Sequence, residues 1–556
     1  MGPTAAARDT DTDVLIAGGG PVGLALAIEL AWRGVRCLVV EQLQHKGLQA
    51  RAKMLNVRAM ANVRRWGLAH EMRQAIPMTA DYPTHVVYAT RMLGIEITRF
   101  ENVLFCHAYG DERFPEPSAW LPQARIEQVF RGYIERTAHA QIQTGQRLER
   151  FEQDADGVTS TVSGPEGVVQ IRSRYLVGAD GARSTVRELM GISMQGSQGQ
   201  ETNVNAVIRV PGLTARHRLG PAIIYNLVNA DAPAGIGPLE PGDVWFFNCH
   251  PPNWDGALGN LDLTDYAKRA IGADLGLSVL TASTWTSRAL VASHHRTGRV
   301  FLAGDSCHLH PPTGGFGMNL GIGDAVNLGW KIAAVLQGWG GDDLLGSYES
   351  ERKPVHQHVV AEASANYASI ASKLVADGIE DLTPKGDAIR AAIAAVVQKT
   401  KKREFGPIGV VLGECYAASS VIAREEGAPP VRHYMNYAPS TYAGSLAPHY
   451  WLEDGSSLYD HFGPAFSLLV RNPEASECQK FAAVARQEGF PLHIVELSEA
   501  RAATLYDRRL TLVRPDNHVA WRGNDLPTSI ADLLRYVAGQ HLAAPTRVSL
   551  ARQDST

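Results

Sequence analysis

The chain has 556 residues, 45% of them hydrophobic and 20% charged, with 53 basic against 57 acidic side chains. That length and apolar content allow at least one large core and exclude a disordered chain. The near-balanced charge excludes a basic field of the kind that collects nucleic acid or an anionic membrane. Gly, at 53 residues, is the one count above average, so where the glycines sit carries the argument. Six separated cysteines, with no Cys-x-x-Cys pair, describe neither a disulfide framework nor a zinc ribbon. The polar first dozen residues lack the apolar run of a secretory signal, and the most apolar helical segment, 22–32, is too short to span a bilayer. A cytoplasmic enzyme is the expectation.

In chain order, residues 14–17 form a short apolar run of the buried parallel-strand type, followed by an Ala- and Leu-rich helix over 21–33 that Gly34 stops. A second strand over 35–40 completes one βαβ unit. Runs at 175–179 and 300–304 predict two more buried strands ending in small residues. Between them, over about 195–290, alternating stretches such as 225–228 and 244–248 predict antiparallel strands. His294 and His295, ahead of Arg299, read as a solvated turn, and Arg33, Arg36, Arg64 and Arg65 as surface charges. His308 and His310 read as loop packing, with no metal site. From Asp324 to about Lys402 the chain reads as helical, broken near 338–343 and at Pro384. A loop-rich connector then leads to a compact β/α tail.

Gly18-Gly19-Gly20-Pro21-Val22-Gly23 has the G-x-G-x-x-G spacing between a strand and a helix. Gly18 suits the tight turn, Gly20 lets a pyrophosphate approach the backbone, and Gly23 brings the helix close to the sheet. Glu41 ends the second strand, where a carboxylate accepts bonds from ribose hydroxyls. This reads as dinucleotide binding and leaves NAD and FAD open. Two distant segments bear on the choice: Gly178-Ala179-Asp180-Gly181-Ala182-Arg183, and Gly304-Asp305-Ser306-Cys307-His308 continued by the glycine-dense loop 311–321. Both follow a buried strand, where ligands gather in open α/β sheets.

In this order the three segments resemble those of the FAD-dependent aromatic hydroxylases, the single-component flavoprotein monooxygenases. The branch it most resembles contains 2,4-dichlorophenol, 3-(3-hydroxyphenyl)propionate and aromatic polyketide hydroxylases. The resemblance covers essentially the whole chain. It implies an α/β fold: a Rossmann-like FAD-binding domain (11–80, 105–190 and 286–404) with an inserted, mostly antiparallel substrate sheet (81–104 and 191–285). A connector (405–439) and a thioredoxin-like domain (440–556) follow. Of the cysteines only Cys478 falls in that tail, so its expected role is packing or homodimer formation, not reduction.

The resemblance also assigns roles. Gly18, Gly20 and Gly23, with Pro21 and Val22, would hold the FAD pyrophosphate, and Glu41, beside Gln42, the adenosine ribose. Arg51 would lie by the phosphates, and Gln123 and Asp305, the latter next to Gly304, by the ribityl chain. Pro312 would line the ring near flavin C4a. Gly317, Met318 and Asn319, with Gly315 in the same loop, would face the pyrimidine end. Asp180, Gly181 and Arg183 match a segment linked to both FAD and the nicotinamide nucleotide. Many relatives carry His two positions after the arginine that Arg51 matches, close to substrate; this chain has Lys53.

The implied partners are a phenolic or polycyclic aromatic and O2. NADPH or NADH would reduce the flavin as a transient reductant, and oxygen would add at flavin C4a before transfer. Alternatives on the same fold are Baeyer–Villiger insertion or epoxidation; one of another class is a non-catalytic FAD-binding regulatory or docking protein. Ring attack is easier on a phenolate, and ionising a phenol of pKa ~10 at pH 7 costs roughly 4 kcal/mol. A cation ~4 Å away supplies about 1 kcal/mol in water and about 4 at an effective dielectric of 20. Lys53 is the catalytic candidate on that ground. Asp81, Arg209, Tyr225, Trp245 and Phe247 are the substrate-side candidates.

Overall fold

The computed structural model describes residues 12–44, 51–199, 201–252, 254–367 and 373–540. Its main sheet runs, edge to edge, Arg296–Thr297, Val300–Leu302, Gly167–Gly178, Thr12–Ala17, Cys37–Glu41 and Ala140–Thr144. From Val300–Leu302 to Ala140–Thr144 every neighbouring pair is parallel, as crossover connections require. Because side chains alternate, Val14 and Ile16 pack under the helices Pro21–Trp32 and Gly317–Leu336, while Leu15 and Ala17 face the opposite cluster with Leu148, Val162 and Leu176. The sheet is therefore covered on both sides.

A second sheet of seven strands runs Ser278–Thr286, Thr202–Arg209, Val244–Cys249, Ala234–Pro238, Ile224–Leu227, Val86–Ala89 and Glu96–Phe100. The antiparallel expectation for 225–228 needs one correction: Ile224–Leu227 runs parallel to Val86–Ala89, because the two strands come from separate parts of the chain with no hairpin between them. The expected helical stretch resolves into Gly317–Leu336, Asp342–Tyr367 and Pro384–Phe405, the first beginning earlier than Asp324. No helix among the described residues is long and apolar enough to cross a membrane.

The C-terminal part has four strands in the spatial order Leu492–Leu497, Phe466–Arg471, Leu510–Val513, Val519–Gly523, the first pair parallel and the rest antiparallel. With helices Ala475–Gln487 and Ile530–Val537 this is a thioredoxin-like arrangement. It sits directly on the end of helix Gly317–Leu336 and the turn after it: Trp330 and Trp339 share one cluster with Phe466 and Phe490. Beneath lies a buried ionic seat. Arg514 donates to Glu351 at 2.6 and 2.8 Å and to Asp516 at 2.6 Å, and Lys331 donates to Glu351 at 2.7 Å. Burial alone would raise the Glu351 carboxyl, but Arg514 and Lys331 outweigh it and hold it well below the usual range.

Two expectations about charged residues are overturned by what they touch. Arg33 and Arg65 are not free surface charges: both pair at 2.7 Å with Glu29, whose carboxylate is fully buried in the first helix and also accepts from Trp66 Nε1 at 2.7 Å. His295 is not solvated. It is fully buried, with Nε2 2.9 Å from His356 Nδ1, while His356 Nε2 lies 2.7 Å from Asp324. A carboxylate only accepts, so the His356 Nε2–H donates to Asp324 and its Nδ1 accepts from His295.

This cluster makes stability acid-sensitive. Burial pushes His356 down to about 3 and His310 to about 4, and holds His295 well below its ordinary value. The unfolded chain therefore takes up protons near pH 6.5 that the folded chain refuses, so stability falls as pH falls below that point, by up to about 1.4 kcal/mol per pH unit for each histidine. Urea midpoints are expected to be clearly lower at pH 5 than at pH 7. Equal midpoints would contradict the arrangement.

Candidate active site

Three backbone segments converge at the C-terminal ends of the parallel strands. Gly18 N–H donates to Val40 at 2.8 Å, Ala179 N–H to Ala17 at 2.8 Å, and Ala303 N–H to Gly178 at 3.0 Å. Ser306 Oγ ties the third segment to the second through Gly178 O at 2.7 Å. The glycines divide their work. Gly18 has φ +107°, and a Cβ on it would lie 2.3 Å from Ala179 O; one on Gly23 would lie 2.0 Å from Gly18 O. Both positions are closed by the protein itself. A Cβ on Gly20, by contrast, would meet nothing within 4 Å.

Gly20 precedes helix Pro21–Trp32, which no side chain caps, so the first N–H groups of that helix are left to an anion. Gly304 and Gly321 both press on Val22, at 2.9 and 2.5 Å from a built Cβ, which seats the third segment against the first. A closed turn, an open glycine and an uncapped helix end fit the pyrophosphate of a dinucleotide. Glu41 is buried and accepts from Gly19 N–H at 2.8 Å and Leu43 N–H at 2.9 Å, fixing its carboxylate at the edge of this cradle.

The rest of the expected cofactor set is distributed along the same cleft. Residues 51–55 run beside 119–123, with Gln123 N–H on Ala52 O and Leu121 N–H on Lys53 O, each 2.9 Å, so Arg51 and Lys53 lie next to Gln123. The Gln123 amide is turned to Glu127 at 2.8 Å. Gln42, Arg51, Arg183, Asp305, Pro312 and Gly315 are exposed. Protein atoms around Asp305 raise its carboxyl, with His308 and Arg51 opposing. Asp180 is bonded inward, accepting from Ser184 Oγ at 2.5 Å and Val186 N–H at 3.0 Å, so it shapes its loop and leaves Gly181, at φ +82°, open on the outside. Asn319 braces the loop from below: its Nδ2 donates to Met54 O and Gly315 O, and its Oδ1 accepts from Asn56 N–H. Met318 is buried behind it, at the start of helix Gly317–Leu336, which also lacks a side-chain cap.

Behind this loop, His308 Nε2 lies 3.0 Å from Asp324 Oδ2, and Arg352 Nε donates to Oδ1 at 2.8 Å. Burial opposes the Asp324 charge, but His356 and Arg352 outweigh it and keep the carboxyl well below the usual range. Cys307 completes two groupings of metal-ligand type, with His295 and His356 and with His308 and Asp324. The Arg352 cation already supplies the positive charge at Asp324, the carboxylate of the second grouping.

On the substrate side the sheet corrects several expectations. Tyr225, Trp245 and Phe247 lie on the face buried under helix Leu263–Ile271, packed with Tyr266 and Ala267. The residues between them point the other way: Phe246 and Val207 form a cluster with Trp120 and Ile224, and Tyr88 packs with Met54. Met54 reaches the cofactor loop, its Cε 2.9 Å from a Cβ built on Gly315. Period-two alternation could not choose the face here, since both faces of 244–249 carry aromatics. Asp81 and Arg209 are exposed. Lys53 stands where the two regions meet. Its Nζ lies 4.1 Å from the Phe246 ring centroid and donates to Arg51 O at 2.9 Å, and burial lowers the ammonium to about 8.

Comparison with known proteins agrees with this geometry. The FAD binding domain family matches residues 11–363, and the aromatic-ring hydroxylase C-terminal family matches 440–544. Aklavinone 12-hydroxylase RdmE of Streptomyces purpurascens is 30% identical over 95% of this chain and 98% of its own length. The 2,4-dichlorophenol 6-monooxygenase of Delftia acidovorans is 29% identical over 94% and 97%. Among solved structures, RebC with bound 7-carboxy-K252c superposes with a TM-score of 0.88 at 33% identity, covering 96% of this chain and all of that one. An aklavinone-11 hydroxylase with FAD and aklavinone gives 0.82 at 29%, over 96% and 99%. The chain therefore belongs to the FAD-dependent aromatic-ring monooxygenases.

Proposed function

We propose that the protein hydroxylates a phenolic or polycyclic aromatic, with NADPH or NADH reducing its FAD and O2 as the oxygen source. The observation that carries this is Lys53, a half-buried cation against Phe246 between the cofactor segments and the substrate sheet. Bound FAD would supply the electron transfer and oxygen activation, which no side chain here performs. Glycines 18, 20 and 23, Glu41, Arg51, Gln123, Asp180, Arg183, Asp305 and loop 311–319 would hold it. The protein's own part is to exclude water, orient the ring on Phe246 and Trp120, and favour the phenolate through the Lys53 charge.

A cation in this half-buried position offsets much of the roughly 4 kcal/mol that phenol ionisation costs at pH 7. Its ammonium is lowered to about 8, so the charge is present at neutral pH and is lost as pH rises through that value. The kcat/KM for a phenol is thus expected to fall above about pH 8. Lys53→Arg should move that limb upward, while Lys53→Met should lose it and lower product formed per NAD(P)H consumed by about 10- to 100-fold. Unchanged coupling in Lys53→Met, with normal flavin reduction, would remove Lys53 from the mechanism. Phenols that stimulate NAD(P)H oxidation, followed by product identification to exclude mere peroxide release, test the reading as a whole.

A further inference from the structure

Across the cleft-facing side of the seven-stranded sheet runs a row of neutral amides. The register places Asn205 opposite Asn248, Asn248 opposite Gly235, and Gly235 opposite Asn226. Each of these four residues is half-buried, while both of its neighbours along its own strand are buried. In four adjacent strands, then, one residue apiece reaches open space at the same level. Their face is that of Phe246 and Ile224, two positions away, and of Asn203, whose Nδ2 is 3.3 Å from Tyr367 Oη on helix Asp342–Tyr367. That helix in turn holds the cofactor loop through Thr313 Oγ1 on Ala363 O at 2.7 Å.

Three details mark the row as a binding surface. Asn248 Oδ1 is buried and has no hydrogen-bond partner among the described residues, an arrangement disfavoured unless a ligand or water satisfies it. Asn205 Oδ1 accepts from Trp285 Nε1 at 2.9 Å, which fixes that side chain and leaves its NH2 to donate. Gly235 lies between Asn248 and Asn226, and a Cβ built on it would meet nothing within 4 Å, so the row has a trough at its centre. The amides span three strand intervals, ~14 Å at the usual strand spacing. A single benzene ring covers one such interval.

We propose that this row selects an elongated, fused-ring substrate carrying several hydroxyl or carbonyl oxygens along one edge, in preference to a monocyclic monophenol. It rests on the hydroxylase reading above and narrows it. Amides both donate and accept, so they match neighbouring hydroxyl and carbonyl oxygens, and the row holds no charge to reward a carboxylate. The ring system would lie in the Gly235 trough, with its reacting end toward Phe246 and Lys53.

The test is a titration of the FAD-loaded protein with 1,8-dihydroxyanthraquinone, which has three oxygens on one edge, and with phenol. The wild type is expected to bind the anthraquinone at least about tenfold more tightly. Asn248→Leu and Asn226→Leu should each weaken it about 3- to 10-fold, and phenol by less than about twofold. Gly235→Val should weaken it by more than about tenfold by filling the trough, and Asn248→Gln should retain part of the affinity. FAD content confirms that each variant is folded. Phenol binding as tightly as the anthraquinone, or variants with full FAD content binding the anthraquinone unchanged, would overturn the proposal. The titration needs no turnover, so failure to form product from any aromatic would count against the hydroxylase reading alone.

Discussion

Gly20→Val is expected to give a folded protein that does not retain FAD. The backbone at Gly20 is extended at φ −77°, which any residue adopts, and no protein atom lies within 4 Å of the new Cβ. The added side chain therefore meets only the space that the pyrophosphate would take. Cofactor affinity should fall by about 100-fold or more, on the order of 3 kcal/mol, with little change in the melting temperature of the FAD-free protein. Gly23→Ala is the contrasting case. Its Cβ lands 2.0 Å from Gly18 O, a backbone atom that cannot turn away, so the strand–helix contact itself must open and stability should drop. Flavin absorbance per protein, measured beside thermal unfolding without added FAD, separates the two. A Gly20→Val protein as yellow as the wild type would refute the placement of the phosphates.

Arg514→Met is expected to be among the most destabilising single changes outside the cofactor cleft. Arg514 is fully buried and serves Glu351 and Asp516 together. Removing it leaves two buried carboxylates; Glu351 keeps Lys331 at 2.7 Å, and burial has already lowered that ammonium to about 8. Losing one partner of a buried pair costs about 3–5 kcal/mol. Urea denaturation of the FAD-loaded protein should show it, and a loss below about 1 kcal/mol would mean that the seat is not charge-locked.

Much of the cofactor half was legible because its constraints are local. A turn that needs φ +107° at Gly18, and a helix so close that a Cβ on Gly23 would lie 2.0 Å from Gly18 O, leave glycine as the residue that fits, and such needs appear directly as letters. The parallel strands were legible for a similar reason: buried on both faces, they read as unbroken apolar runs. Long-range pairing left no such trace. Nothing near His295 or Arg65 in the chain announces His356 or Glu29, so both read as surface residues although they close buried networks. The substrate sheet failed differently. Trp245, Phe246 and Phe247 are three consecutive aromatics, and which one faces the cleft depends on the helix Leu263–Ile271 that covers the other side.

The thioredoxin-like domain carries no dithiol pair, yet its docking places its own strand residues under the helix that begins at the cofactor loop. Stripped of it, Trp330, Trp339, Lys331 and Glu351 would meet water, and the helix carrying Gly317 and Met318 would lose its far-side support. The two parts are then expected not to melt as independent units: unfolding the tail removes the footing of loop 311–319, and a flavin held there would steady the tail. Cofactor retention and the integrity of a domain distant from the chemistry are one cooperative property, so a lesion in the tail would be felt first as a protein that lets go of its flavin.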